Sequence, residues 1–488
     1  MTWPAPLVPG FHPDPSIVLV DGIYTLVTST FEYLPGLPVH RSTDLVTWEL
    51  LGHVITRPEQ ALLAAVPTPG GVWAPTIRHH DGLYYCIVTV MMGARGCVIF
   101  TAEDPAGPWS DGTSIPAVTG IDPDLAWDDD GTAYVTFASF PHDLRQVAVD
   151  LTTGQALEAV RAVWAGSGLY APEGPHLYRR DDWWYLLAAE GGTDRGHAVT
   201  IARSRSPRGP FIGCPHNPVL SSRSTGLPVQ NQGHADLVTT PDGGDAMVLL
   251  GVRPQGLAQA FSPMGRETFL ADVTWTDGWP TGRPVTEVTR APPESLTVDL
   301  SEPLDHEWVA VRRTPTEVAT TTPDGLLITG DGSGLDAMQP SFVGIRQRHP
   351  RVSFSAAVDA SVGVGGVALR LDGDHILAVE ADSTGITARA TLARLEHTWT
   401  TTVADGKLRL GIDLEPASPD FRDGMVGADN VTLWAESAGT RTVLTELDGR
   451  YWTYESAKSF TGRVLGLYAV TGTVAFADVT YQGSDRTG

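Results

Sequence analysis

Lysine is almost missing from this chain: Lys407 and Lys458 are the only two, and 33 basic residues face 57 acidic ones for a formal net charge of −24. So little positive charge cannot neutralise a phosphate backbone, which argues against nucleic acid as a partner. A neutral or cationic small substrate fits better. Cysteine is nearly as scarce, and Cys86, Cys97 and Cys214 are an odd, scattered set that makes no disulfide framework. No apolar run reaches the length of a membrane span. The start, MTWPAPLVPGF, has neither a basic n-region nor an apolar h-region, so a reducing, cytoplasmic location is expected. Also missing are a G-x-S-x-G elbow, an H-E-x-x-H pair, a Walker A loop and a C-x-x-C pair. Sustained helical periodicity is absent as well.

What is abundant is turn chemistry. Glycine (52) and proline (37) fill about 18% of the 488 residues, against about 12% in ordinary chains. That length exceeds one ordinary core and predicts two domains. The first 290 residues carry an internal repeat. Asp14-Pro15-Ser16-Ile17 with Asp21-Gly22 recurs as Ala74-Pro75-Thr76-Ile77 with Asp81-Gly82, and as Asp122-Pro123-Asp124-Leu125 with Asp130-Gly131. Gly174-Pro175-His176-Leu177 and His234-Ala235-Asp236-Leu237 open the fourth and fifth copies. Each copy reads as a strand, a tight turn and a second strand. Turn residues and one aromatic then follow (Trp48, Trp109, Phe211), which suggests outer strands. Five such units predict a five-bladed β-propeller.

After Arg290-Ala291-Pro292-Pro293-Glu294-Ser295 the texture changes to alternating runs such as Arg351–Val358 and Lys407–Ile412. These read as a β-sandwich. The expected organisation is all-β, with a propeller over residues 1–293 and a sandwich over 294–488.

In a propeller the first strand of every blade lines the axis, so equivalent repeat positions converge. That brings Asp14, Asp122 and Glu173 (one residue before its copy's start) around one funnel, with His234 beside them. Flanking prolines restrict the backbone at these positions. Crowded carboxyls repel, so one must have a raised pKa. An acid facing a carboxylate is what glycosidic cleavage requires. His79 and His80 are expected to face solvent in a turn. Asp128-Asp129-Asp130-Gly131 is expected to be a solvated turn, not a calcium loop.

Pro9-Gly10-Phe11-His12-Pro13-Asp14-Pro15, Gly71-Val72-Trp73-Ala74-Pro75, Gly120-Ile121-Asp122-Pro123 and Pro172-Glu173-Gly174-Pro175 together resemble the signature of glycoside hydrolase family 43. Gly233-His234-Ala235-Asp236 and Gly265-Arg266-Glu267 extend the resemblance, which runs from about residue 7 to 285. The second half resembles the concanavalin-like sandwich of the family's β-xylosidase branch, through Gln339–Gln347 and Phe460-Thr461-Gly462. The resemblance implies that Asp14 is the general base, Glu173 the general acid, and Asp122 the acid that orients Glu173 and keeps its pKa high. It implies that Arg266 and His234 line the sugar site, that Phe31 and Trp73 form its apolar wall, and that Phe460 reaches in from the sandwich. The implied activity is inverting, exo-acting release of xylose from short xylooligosaccharides. α-L-Arabinofuranosidase activity, alone or alongside it, is the sibling reading. A carbohydrate-binding propeller without catalysis would lack one of the acids. No cofactor is required, and no metal ligands are assigned. A calcium ion in the propeller channel and a homo-oligomer are left open.

Overall fold

The computed structural model describes residues 5–485 except 141–142, 257–259, 290–292, 299–301, 403–406, 418–426 and 458. Nearly all of its regular structure is β. Five antiparallel sheets follow one another, opened by Ser16–Val20, Gly71–His80, Ile121–Trp127, Glu173–Arg180 and Gln230–Thr239. These are the strands that the repeat marks. The Asp-Gly turns work because both residues adopt positive φ, +49° and +80° at Asp21 and Gly22, +49° and +79° at Asp81 and Gly82. That type I′ geometry matches the twist of the hairpin it closes. Because the turn takes only two residues, His79 and His80 stay in the strand, paired with Tyr84 and Leu83. They are therefore partly covered, not solvent-facing: His79 lies 4.8 Å from Tyr84 and His80 stacks at 4.4 Å on Trp127. The aromatic markers do precede the outer strands, with Trp48 leading into Glu49–Ile55 and Phe211 into Ile212–Gly213.

Apolar clusters fill the gaps between successive blades. The one that joins Ile17, Tyr24 and Leu26 of the first blade to Val238, Val248 and Leu270 of the fifth closes the ring. Closure is reinforced where the Leu7 N–H donates to the Thr268 carbonyl at 2.7 Å.

The last blade ends with Trp279–Gly282, and Glu294–Thr297 already pairs with the final strand of the second unit, Val464–Ser484. That unit is the expected β-sandwich, built around the long partners Arg351–Asp372 and Val464–Ser484. It packs on the propeller through Phe11 and Tyr33 against Val309, Phe342, Ile376 and Tyr468. Tyr33–Leu34 even joins its sheet, pairing with Val309–Val311. No described helix is long and apolar enough to cross a membrane.

Below the funnel, Arg78 ties all five blades together. Its guanidinium donates to Ser16 Oγ (3.3 Å), Asp236 Oδ2 (2.9 Å) and Asp124 Oδ1 (2.8 Å), and its Nη2 stands 3.0 Å from His176 Nδ1. Asp236 also accepts from Ser16 and from the Tyr178 hydroxyl. Burial opposes the charge on Asp236, yet Arg78 holds its carboxyl far below the ordinary range. Arg78→Met strands two fully buried carboxylates without their cation. The expected loss is about 3–5 kcal/mol of unfolding free energy, read by urea titration. A loss below about 1 kcal/mol would mean that the pore carboxylates are neutralised some other way.

Candidate active site

One backbone device places the site. Asp14, Ala74, Asp122, Gly174 and His234 all have positive φ, between +39° and +56°. In four blades the register slips at that point, across Trp73/Thr76, Ile121/Asp124, Glu173/His176 and Gly233/Ala235. A bulge bends its strand and re-aims the side chain. Here it turns residues from the sheet face into the funnel. Asp and His tolerate the left-handed region better than most residues. Gly174 is required for a second reason, since a Cβ there would stand 2.8 Å from His234 Nε2.

The acids meet as follows. Asp14 is buried, and its Oδ2 accepts from Ser29 Oγ at 2.6 Å while Oδ1 takes Arg266 Nη1 at 3.2 Å. Ser29 in turn accepts the Ala74 N–H at 2.7 Å, which fixes its hydroxyl. Burial raises the Asp14 pKa, but Arg266 and the Ser29 hydrogen bond outweigh it and hold the carboxyl below its ordinary value. Glu173 is the opposite case: burial first, then the Asp14 charge, push it up to about 7 against the pull of Arg266. Asp122 accepts the Gly174 N–H at 3.0 Å, pinning the backbone beside Glu173. Burial, then Glu173, then Asp14 raise it well above the carboxylate range. The site thus contains an ionised carboxylate and protonated carboxyl groups together at working pH.

Phe31, Trp73 and Phe460 make an apolar wall, with ring centroids 5.2–6.2 Å apart. The Trp73 indole N–H is used on the Pro69 carbonyl at 3.0 Å, so its ring surface is what remains to offer. Phe460 arrives from the sandwich on a segment that touches the propeller backbone to backbone: a Cβ on Gly462 would stand 2.2 Å from the Met264 carbonyl oxygen. Arg266 is caged by the rings of Phe31, Phe460 and Tyr454 at 5.2–5.7 Å. The three acids, Arg266 and the apolar wall line one small pocket.

The structure brings all eight residues singled out from the sequence to this pocket, and adds Ala74, Ile121 and Thr193. Thr193, whose hydroxyl accepts from Arg266 at 3.1 Å, sits in a glycine-rich hairpin loop. Its sequence signal is only that of a turn. Among the described residues no group of three or more His, Cys, Asp or Glu is placed to hold a metal ion. Asp124 and Asp236, the axial carboxylates, are already paired with Arg78.

The family model for glycosyl hydrolases family 43 matches residues 3–280, and that for the beta xylosidase C-terminal concanavalin A-like domain matches 300–482. The chain is 36% identical to a non-reducing end alpha-L-arabinofuranosidase of Bacteroides ovatus, covering 96% of this chain and 91% of that protein. It is also 36% identical to a xylosidase/arabinosidase of Butyrivibrio fibrisolvens, covering 70% of this chain and 72% of that protein. The crystal structure of xylan beta-1,4-xylosidase from Bacillus halodurans superposes with a TM-score of 0.87 at 27% identity, covering 99% of this chain and 100% of that one.

Proposed function

Because the chain belongs to glycosyl hydrolase family 43, and is therefore a glycoside hydrolase, we propose that it releases terminal xylose from β-1,4-xylooligosaccharides with inversion of the anomeric carbon. One observation carries this reading: two carboxyls of a single pocket are tuned in opposite directions, Asp14 toward the anion and Glu173 toward the acid. Asp14 takes a proton from water as the water attacks the anomeric carbon. Glu173 gives its proton to the departing glycosidic oxygen. Asp122 accepts the Gly174 N–H and so holds the backbone beside Glu173, while burial and the Asp14 charge keep the acid protonated. Arg266 and His234 face the sugar hydroxyls, and Phe31, Trp73 and Phe460 cover its apolar surface.

The apolar wall that Phe31, Trp73 and Phe460 build at one side of the pocket supports exo action. No cofactor enters this chemistry. A calcium ion in the channel would compete with Arg78 for Asp124 and Asp236. Three buried free thiols accord with action in the cytoplasm on short, imported oligosaccharides.

The Bacteroides ovatus relative, aligned over 96% of the chain, favours α-L-arabinofuranosidase activity as a second reading. Xylopyranose and arabinofuranose present similar hydroxyl arrangements to one pocket. Paired nitrophenyl β-xyloside and α-arabinofuranoside substrates, with the released anomer followed by NMR, decide between them. The expected result is a higher kcat/KM on the xyloside and α-xylose as the first product. A preference for the arabinoside reverses the order of the two readings, and first-formed β-xylose removes the inverting mechanism.

A further inference from the structure

The loop after Trp183–Glu190 returns the chain to the funnel, and His197 follows it just before the strand Ala198–Ser204. Its imidazole is buried, with its face against the backbone of Gly233, where a Cβ would stand 2.5 Å from Nδ1 and 2.6 Å from two other ring atoms. Nδ1 lies 2.9 Å from the Asn231 carbonyl oxygen. A carbonyl can only accept, so Nδ1 carries the proton and Nε2 of the neutral ring is a bare lone pair. Burial holds this ring's pKa at about 4, so it stays neutral at working pH. Nε2 has no hydrogen-bond partner among the described residues and stands 4.0 Å from Glu173 Oε1. A buried acceptor left unpaired is costly.

We infer that His197 is a positioning residue for the acid: its bare Nε2 accepts a hydrogen bond from the protonated carboxyl of Glu173 and so keeps the proton on Glu173 between turnovers. The inference rests on Glu173 being the general acid. No proton passes to the ring. When a glycoside enters, the same O–H turns from Nε2 to the glycosidic oxygen, and the carboxylate left after cleavage regains its proton from solvent. A lone pair beside a carboxylate disfavours the anion, while beside the acid it is a partner. The other groups around the pair are Asp14, which also favours protonation of the acid, Arg266, which opposes it, and Asp122, whose own carboxyl is kept protonated beside Glu173. His234 is a second neutral imidazole of the pocket, and Asp194 acts on His197 from its own loop.

Two substitutions separate this role from packing. His197→Asn keeps an N–H for the Asn231 carbonyl but has nothing at the Nε2 position, whereas His197→Gln places an amide oxygen there. With xylobiose as substrate, His197→Asn is expected to move the alkaline limb of kcat/KM down by about one pH unit, roughly a tenfold loss above the limb, with KM little changed. His197→Gln is expected to recover most of that shift. An equal loss at every pH, or an unchanged profile, overturns the inference. Glu173→Ala, run beside them, keeps the two readings apart. If it fails to discriminate between good and poor leaving groups, the acid assignment itself fails. An unmoved limb with discrimination intact removes only His197. Should His197→Asn not fold, 15N-histidine NMR of the unaltered chain decides: the inference requires an unprotonated Nε2 whose resonance follows the titration of Glu173 and stops doing so in Glu173→Gln. A proton on Nε2 overturns it.

Discussion

Asp14→Asn is expected to lower kcat/KM by about 10³- to 10⁴-fold on xylobiose and on nitrophenyl β-xyloside alike. The base acts on water, so its loss is felt whatever group departs. Asn suits the position because Asp14 sits at φ +56°, where an Asx side chain is tolerated and Ala would add strain. The amide keeps the shape of the carboxyl but cannot take the proton from water or neutralise Arg266. Melting temperature is expected to fall, since the buried Arg266 loses its carboxylate, but less than for Arg78→Met because Thr193 and three aromatic rings still surround it. The wild-type acid limb has a defined sign too. Because Asp14 is held below its ordinary value, activity persists as pH falls through the usual carboxylate range and is lost only beneath it. A variant that keeps more than about a tenth of wild-type turnover would take Asp14 out of the base role.

Glu173→Ala gives a different pattern, and the contrast is the test. On xylobiose, whose leaving alcohol needs a proton, the loss is expected to be about 10²- to 10⁴-fold. On the nitrophenyl glycoside, whose phenolate departs without help, it should be much smaller. In the wild-type enzyme Glu173 must be protonated to act and titrates at about 7, so kcat/KM on xylobiose declines as pH rises through that value. In the variant this alkaline limb should vanish on the activated substrate. Equal losses on both substrates would contradict the assignment.

Much of this was written in short-range sequence. Asp-Gly turns with a strand on either side predict the hairpins because type I′ geometry asks for those residues, and five copies predict five blades. The convergence of Asp14, Asp122 and Glu173 follows from equivalence within the repeat. The left-handed bulge that aims them does not: only Gly174 hints at positive φ, while Ala74 at +39° carries no signal of it. His197 and Thr193 were invisible for another reason. They hang on a loop between the second and third strands of their blade, and nothing local says that the loop folds back to the axis. Arg78 reads as one more residue in a strand until four other blades are seen to supply its partners. Glu294–Thr297, at the edge of the proline-rich stretch, is paired with a strand nearly 190 residues further on, a partnership that no local pattern announces.

The wall contributed by Phe460 also sets a timetable for making the enzyme. Asp14, Asp122, Glu173 and Arg266 are all synthesised in the first part of the chain, and Phe460 follows Arg266 by 194 residues. At about 5–20 residues per second, roughly 10–40 s separate the arrival of the last polar group of the pocket from the arrival of its cover. Until then every polar group of the pocket has been made and its cover has not, so a chain released within that window lacks Phe460.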